Sequence, residues 1–350
     1  MDLQAAADLF IKSWQSESDK KLTIALFGQP GSGKSSLINE LVGEKVAEVS
    51  ATTDTTKQAQ IVEYNDIVFV DLPGYDTSSF PSNRYFDTFS PFQYDLFICV
   101  FSNKLVQADK EFFRKIRLNL RECIFVRNKV DSLYDVEKSK DDLKQEIRAD
   151  VAEQIGTPQE VIFTSCRKND SPEARGIPEL QEAIKRHLTP AKQDKFKRSA
   201  KAYTYKLLDE KKDLAISEIR KAAAMAAGNG LNPIVGVDVG IDVKIMSAMY
   251  SNIRKTFAIT EVEIENFKGS NFLVDKISMG IKRENIIAMM KTQISKQMEK
   301  KLSKYIPVVG QATAMGLSAG GMYYLGKSYL DNCYSYAEKR LENEIKMRVR

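Results

Sequence analysis

The reading of this chain turns on Gly28-Gln29-Pro30-Gly31-Ser32-Gly33-Lys34-Ser35, which fits G-x-x-x-x-G-K-[ST]. An apolar run over residues 22–27 precedes it as a strand, and residues 35–41 follow with helical spacing. A strand, a glycine loop and a helix in that order form a phosphate cradle. The glycines let successive backbone N–H groups turn inward around phosphate oxygens, and the helix adds the positive end of its dipole. Lys34 supplies a point charge to β- and γ-phosphates, and the Ser35 hydroxyl ligates Mg²⁺. The phosphate contacts expected from this stretch are Gly28, Pro30, Gly31, Ser32, Gly33, Lys34, Ser35 and the adjoining Ser36.

Working outward, short apolar runs alternate with longer amphipathic ones. Residues 22–27, 67–70, 96–101, 124–126 and 161–164 are strand-like, and 35–41, 110–120, 141–154 and 177–187 are helix-like. Strands alternating with helices predict βαβ units and a doubly wound, mainly parallel α/β sheet. The short Tyr64-Asn65-Asp66 turn joins two strand-like runs and predicts one antiparallel edge strand. After Thr189-Pro190 the strand signal ends. Three parts result: an amphipathic helix within 1–20, with Leu3, Ala6, Leu9, Phe10 and Trp14 at helical spacing; an α/β domain over 21–190; and a helical domain over 191–350. The helical domain carries two Gly-containing apolar segments, 222–249 and 305–330.

Three further motifs stand at predicted strand ends. Asp71-Leu72-Pro73-Gly74 follows one strand; a carboxylate there can hold a Mg²⁺-bound water, and the Gly74 N–H can point at a γ-phosphate. Asn128-Lys129-Val130-Asp131 follows another. Asp131 can accept from guanine N1–H and the exocyclic amine. Adenine offers no such donor pair, and a site built on a hydrogen bond the wrong ligand lacks rejects it by about 10⁴. Ser165-Cys166-Arg167 follows the last strand and can close over the base with backbone N–H groups.

Composition excludes several classes. Lys+Arg 52 against Asp+Glu 47 leaves +5, too mild for a general nucleic-acid binder, so no DNA partner is expected. Cys99, Cys123, Cys166 and Cys333 lie far apart with no C-x-x-C pair. They read as thiols in a reducing, cytoplasmic compartment rather than as a disulfide framework or zinc site. The single histidine, His187, excludes chemistry needing a His pair or a His-rich metal site. The acidic start lacks the basic flank of a signal peptide, and Asp2 stands where myristoylation needs Gly.

In this order the motifs resemble those of GTPases of the translation-factor class. The helical half narrows the resemblance. Asn232-Pro233-Ile234-Val235-Gly236-Val237, whose Asn and Pro suit a helix start, and Ile306-Pro307-Val308-Val309-Gly310 follow the motif-bearing half, with a helix before it. That arrangement is similar to the immunity-related GTPases, the interferon-inducible IRG family, and their bacterial relatives. The resemblance implies a G domain with a helical domain built from both chain ends and hydrolysis of GTP to GDP and phosphate with Mg²⁺. It also implies nucleotide-dependent switching, GTP-dependent self-association as a homodimer or larger oligomer, and peripheral action at intracellular membranes.

The resemblance further implies a Mg²⁺-ligating, γ-phosphate-sensing threonine between the loop and Asp71. Thr52, Thr53, Thr55 and Thr56 are the candidates; spacing favours Thr53, with Thr56 open if the intervening hairpin is short. The catalytic set is then Lys34, Thr53 and Gly74, the metal set Ser35, Thr53 and Asp71, and the base set Asn128, Lys129, Asp131, Ser165, Cys166 and Arg167. Two residues depart from the pattern. Ras-like members place Gln directly after D-x-x-G, where this chain has Tyr75. The water must then be oriented by Asp76, Thr77, a switch backbone group or a residue from a second molecule. IRG members often read T-K-x-D, where this chain has the commoner Asn128.

Tyr75 leaves open a nucleotide-locked scaffold with negligible turnover. An RNA-associated GTPase of the ribosome-assembly kind would share the first half. It would also need an RNA-binding appendage, and nothing after residue 190 reads as one, which argues against RNA. Residues 305–326 carry no charge and are long enough to cross a bilayer. Pro307, Gly310, Gln311, Thr313, Gly316, Ser318, Gly320 and Gly321 weaken its insertion, and Gly316-x-x-x-Gly320 favours close helix packing. A packed helix is the expectation, with surface and spanning arrangements open.

Overall fold

Six short runs become one mixed sheet in the computed structural model. It describes residues 21–47, 59–75, 81, 84–85, 89, 93–119, 121–167, 170, 174–229, 237–302 and 319–349. The strands are β1 (Leu22–Phe27), β2 (Gln60–Tyr64), β3 (Ile67–Asp71), β4 (Leu96–Phe101), β5 (Cys123–Arg127) and β6 (Val161–Phe163). Their order is β2-β3-β1-β4-β5-β6, and only the β2–β3 pair is antiparallel. The patterns explain the positions. β4, buried at every residue, lies inside the sheet, where parallel strands are covered on both faces. β2 carries exposed residues, with Ile61 64% exposed, as an edge strand tolerates. The predicted hairpin forms at Asn65, whose left-handed φ of 49° suits an Asn in a tight turn.

Among the described residues, five helices accompany the sheet: α1 (Lys34–Val42), α2 (Gln107–Leu118), α3 (Lys140–Ile155), α4 (Ile177–Arg186) and α5 (Pro190–Ser199). α1 packs against β3 and α4, α2 against β5, and α5 against β1 and β3. Ser139 caps α3 by accepting from the Asp142 N–H, while Asp142 accepts from the Ser139 N–H, a reciprocal capping box. An aromatic core runs along the sheet: Phe27, Phe97, Phe101, Phe112 and Phe125 are all buried there.

The chain divides into a sheet-bearing unit, Lys21–Tyr203 with Glu344–Arg350, and a helical unit that includes Thr204–Asn343. Strand signal ends near residue 190, but α5 belongs to the sheet. Phe196 is fully buried, and Ser199 Oγ accepts from the Asp66 N–H at 3.0 Å, beside the β2–β3 turn. One buried ring and one buried hydroxyl on α5 thus outweigh the local composition.

The helical unit contains α6 (Tyr205–Asn229), α7 (Val237–Thr256), α8 (Glu261–Phe267), α9 (Phe272–Ser278), α10 (Arg283–Leu302) and α11 (Ala319–Val349). α6 and α10 both pack against α7. Tyr250 and Tyr329 stack at 3.9 Å, and the Tyr329 hydroxyl accepts from Arg254 and donates to the Ile277 carbonyl, both at 2.9 Å. Of the uncharged stretch, residues 305–318 lie outside the described residues, as do 1–20 and the Asn232-Pro233 start. The remainder opens α11. There Met322 is fully buried, and a Cβ on Gly326 would sit 2.9 Å from both Ile219 Cγ2 and Met249 Sδ. Among the described residues no helix is long and apolar enough to cross a membrane.

Candidate nucleotide-binding site

Strand order decides where the motifs meet. β3 and β4 flank β1 on opposite sides, and at such a switch point an open α/β sheet leaves a crevice beyond its strand ends. The glycine loop leaves β1 there, Asp71 closes β3, and Asn128 and Thr164 directly follow β5 and β6.

Two glycines of the loop answer both to backbone angle and to close approach. Gly28 has φ +134°, and a Cβ on it would lie 2.0 Å from the Val100 carbonyl oxygen. Gly33 has φ +95°, and its Cβ would lie 2.3 Å from Asn128 Nδ2. Lys34 is only 6% exposed although charged. Its ammonium donates to the carbonyls of Gly28 at 3.1 Å and Gln29 at 3.4 Å and stands 3.7 Å from Asp71 Oδ1. Ser35 Oγ donates to Asp71 Oδ2 at 2.7 Å. Asp71 Oδ1 and Ser32 Oγ are buried without a hydrogen-bond partner. Buried polar atoms are ordinarily paired, so the two are open to a polar ligand, Oδ1 with only the Lys34 ammonium beside it. A carboxylate and a hydroxyl are the hard oxygen donors that suit Mg²⁺. Pro30 is exposed, and Ser36 and Gly74 are half-buried around this group.

On the base side, Asn128 is 1% exposed and its amide bonds at both ends. Nδ2 donates to the Ser32 carbonyl at 2.9 Å, while Oδ1 accepts from Thr164 Oγ1 at 3.1 Å and from Cys166 Sγ at 3.7 Å. Burial pushes the Cys166 thiol up to about 12, which keeps it protonated and able to donate. Lys129 takes a left-handed φ of 60°, turning the chain into a short 3-10 turn, Val130–Ser132. Asp131 stands exposed on that turn, with Oδ1 accepting from Ser165 Oγ at 2.8 Å. Arg167 donates its N–H to the same hydroxyl at 3.1 Å. The structure therefore joins Ser165 to Asp131 directly and turns Asn128 and Cys166 toward protein partners. Sequence motifs did not single out Thr164, Glu40 or Arg175. The only trace of Thr164 is a polar residue in a buried run. Glu40 and Arg175 pair across 135 positions with no local marker.

Tyr75, in the position of the water-orienting Gln, is 7% exposed. Its ring lies 5.2 Å from Tyr85 and 5.4 Å from Phe112. The Tyr85 hydroxyl donates to the Pro73 carbonyl at 2.6 Å, and burial raises its pKa, so it stays a neutral donor. An aromatic cluster thus holds the D-L-P-G turn from beneath. Asp109, 4% exposed, borders the same core; burial pushes its carboxyl up to about 6, although it accepts from the Val106 N–H at 3.4 Å and feels Lys34. Thr52, Thr53, Thr55, Thr56, Asp76 and Thr77 lie outside the described residues.

Known proteins resemble this chain along most of its length. "Interferon-gamma-inducible GTPase 10" of Mus musculus is 23% identical over 341 residues, spanning 93% of this chain and 82% of that protein. "Interferon-inducible GTPase 1" of Mus musculus is 25% identical over 304 residues, spanning 81% and 72%. "T-cell-specific guanine nucleotide triphosphate-binding protein 2" of Mus musculus is 24% identical over 351 residues, spanning 95% and 83%. The family model described as Interferon-inducible GTPase (IIGP) matches residues 2–344, and with the phosphate loop and crevice above it the chain belongs to this family of GTP-binding, GTP-hydrolysing enzymes.

Proposed function

We propose that hydrolysis proceeds at the crevice around Lys34, Ser35 and Asp71 with Mg²⁺, and that the nucleotide state switches conformation and self-association. The observation that carries this is the cluster itself: a buried ammonium already held over the loop by two carbonyls, beside the half-buried Ser35 hydroxyl and a buried carboxylate whose Oδ1 accepts no hydrogen bond. Ser35 and Asp71 would hold Mg²⁺, with phosphate oxygens completing the set, since Mg²⁺ takes few protein ligands. Mg²⁺ bound there supplies charge neutralisation across the phosphates. Lys34 pays little reorganisation as charge develops, because its position is preset. The Gly74 N–H orients the γ-phosphate, and Thr53, or Thr56 in its place, ligates Mg²⁺ and senses the γ-phosphate. Asp131 reads guanine N1–H and the 2-amino group, with Ser165, Cys166 and Arg167 closing over the base.

Tyr75 packs into the core, which leaves the water to be oriented by another group. We assign that role to a second copy of the chain across the nucleotide face, so a homodimer forms with GTP. The unpaired cysteines suit a cytoplasmic protein, and peripheral contact with intracellular membranes is the expected setting of its action.

Lys34→Ala is expected to weaken nucleotide binding by at least about 100-fold, and Asp131→Asn to lose guanine preference. Unchanged GTP affinity after the first, or unchanged preference after the second, refutes the corresponding role. Turnover per molecule should rise with protein concentration; a flat line removes the second copy's part in hydrolysis. Sedimentation with anionic vesicles in GTP tests the membrane contact.

A further inference from the structure

Arg175 is fully buried, and its guanidinium makes an ion pair with Glu40 of α1 at 2.5 Å. Its Nε and Nη2 have no hydrogen-bond partner. A buried guanidinium with unsatisfied N–H groups is costly, and a buried ion pair can often be exchanged for apolar side chains without loss of stability. With Glu40 on one side and the Tyr203 ring 5.6 Å from the guanidinium, the pair is weak evidence of a purely stabilising role.

The Arg175 carbonyl accepts from the Ser165 N–H at 2.9 Å and so fixes the backbone from which the Ser165 hydroxyl donates to Asp131 at 2.8 Å. The next residue, Gly176, admits no side chain, since a Cβ on it would lie 1.9 Å from the Phe163 carbonyl oxygen. On the other side, Glu40 lies on the same helix as Lys34 and Ser35. Its carboxylate and carbonyl are further fixed by the Tyr203 hydroxyl, at 3.1 and 2.8 Å. One buried pair thus links the helix that carries the phosphate-side residues to the serine that orients the base-side carboxylate.

We propose that Arg175, held by Glu40, is a positioning residue for guanine specificity: it fixes Ser165 relative to α1 and through Ser165 sets the direction of the Asp131 carboxylate. This rests on the reading of Asp131 as the guanine contact. A carboxylate that reaches both N1–H and the 2-amino group must be aimed in plane with the base, and a loosened Ser165 would lose that aim before it lost the base altogether.

The test compares GDP with IDP, which lacks the 2-amino group, by competitive titration on the full chain. The unaltered chain should prefer GDP by at least about tenfold, the worth of one hydrogen bond to a charged group. Arg175→Met should shrink that ratio several-fold toward unity, while Arg175→Lys, which keeps the ion pair, should retain most of it. Where Arg175→Met leaves Glu40 uncompensated and the chain fails to fold, Glu40→Met/Arg175→Met removes both charges and carries the same measurement. If the methionine variants weaken GDP and IDP equally, with the ratio unchanged, Arg175 is merely structural and the proposal falls. Asp131→Asn separates the two claims. A GDP preference that survives in that variant overturns the Asp131 reading itself. A preference lost there but kept in both methionine variants overturns only the role of Arg175.

Discussion

Asn128 donates its side-chain amide to the Ser32 carbonyl oxygen across 2.9 Å, so the turn after β5 is bonded directly to the phosphate loop after β1. The other end of the same amide accepts from Thr164, which follows β6. One buried side chain clasps three loops. Asn128→Ala strands a buried carbonyl and a buried hydroxyl, a loss on the order of 2 kcal/mol. GDP affinity should fall about 30-fold, with a lower melting temperature. Equilibrium titration that finds the GDP Kd unchanged would show the clasp to be dispensable.

Gly28 and Gly31 make a contrast. Both have positive φ, but a Cβ on Gly28 meets the Val100 carbonyl oxygen at 2.0 Å, whereas one on Gly31 meets nothing within 4 Å. Gly28→Ala should cost more than about 3 kcal/mol and prevent stable folding. Gly31→Ala should cost only the backbone strain, roughly 1 to 2 kcal/mol. Thermal melts of the two variants followed by circular dichroism decide it; equal losses would mean that steric approach is irrelevant at Gly28.

Tyr75→Gln places the missing amide at the position that orients water in Ras-like GTPases. Here that side chain is packed between Tyr85 and Phe112, so the substitution removes ring packing. The expected outcome is a loss of about 2 to 3 kcal/mol of stability and no gain in the single-turnover rate of GTP hydrolysis. A faster single turnover would show that the position faces the nucleotide during catalysis.

Asp109 titrates at about 6 in the folded chain against 3.8 ordinarily, chiefly because burial disfavours its charge. The native state therefore keeps a proton that the unfolded chain gives up between about pH 4 and pH 6. The stability tied to that proton is complete below about pH 4 and is lost as pH rises through about 6. Asp109→Asn removes the titration while keeping an oxygen for the Val106 N–H. The variant should exceed the parent at pH 8 by on the order of 2 kcal/mol, reduced by the lost attraction to Lys34, and match it near pH 4. Urea midpoints at the two pH values test this. A difference independent of pH would mean that burial does not disfavour the charged carboxylate.

Much of the fold was legible because it is written in local patterns. Short apolar runs such as residues 96–101 read as strands, and the Asn65 turn marked the antiparallel edge; that 96–101 lies inside the sheet is a finding of the structure. The glycine loop was legible for the same reason, since strand, loop and helix are consecutive. The domain boundary was less so: strands stop near 190, yet α5 stays with the sheet through Phe196 and Ser199, whose partners lie far back in the chain.

The candidate site divides along the same line. By itself the sequence determined which residue types stand at the strand ends: Lys34 and Ser35 open α1, Asp71 closes β3, and Asp131 lies on the short turn after β5, and short-range periodicity sets those ends. Only the tertiary structure decided how they are aimed. It turned the Asn128 amide onto Ser32 and Thr164, sent Tyr75 into an aromatic core, and paired Glu40 with Arg175 across 135 positions. Secondary structure forms from neighbours in the chain. The direction of a buried polar side chain is set by which distant donors and acceptors packing brings within hydrogen-bond reach, and no local pattern encodes that.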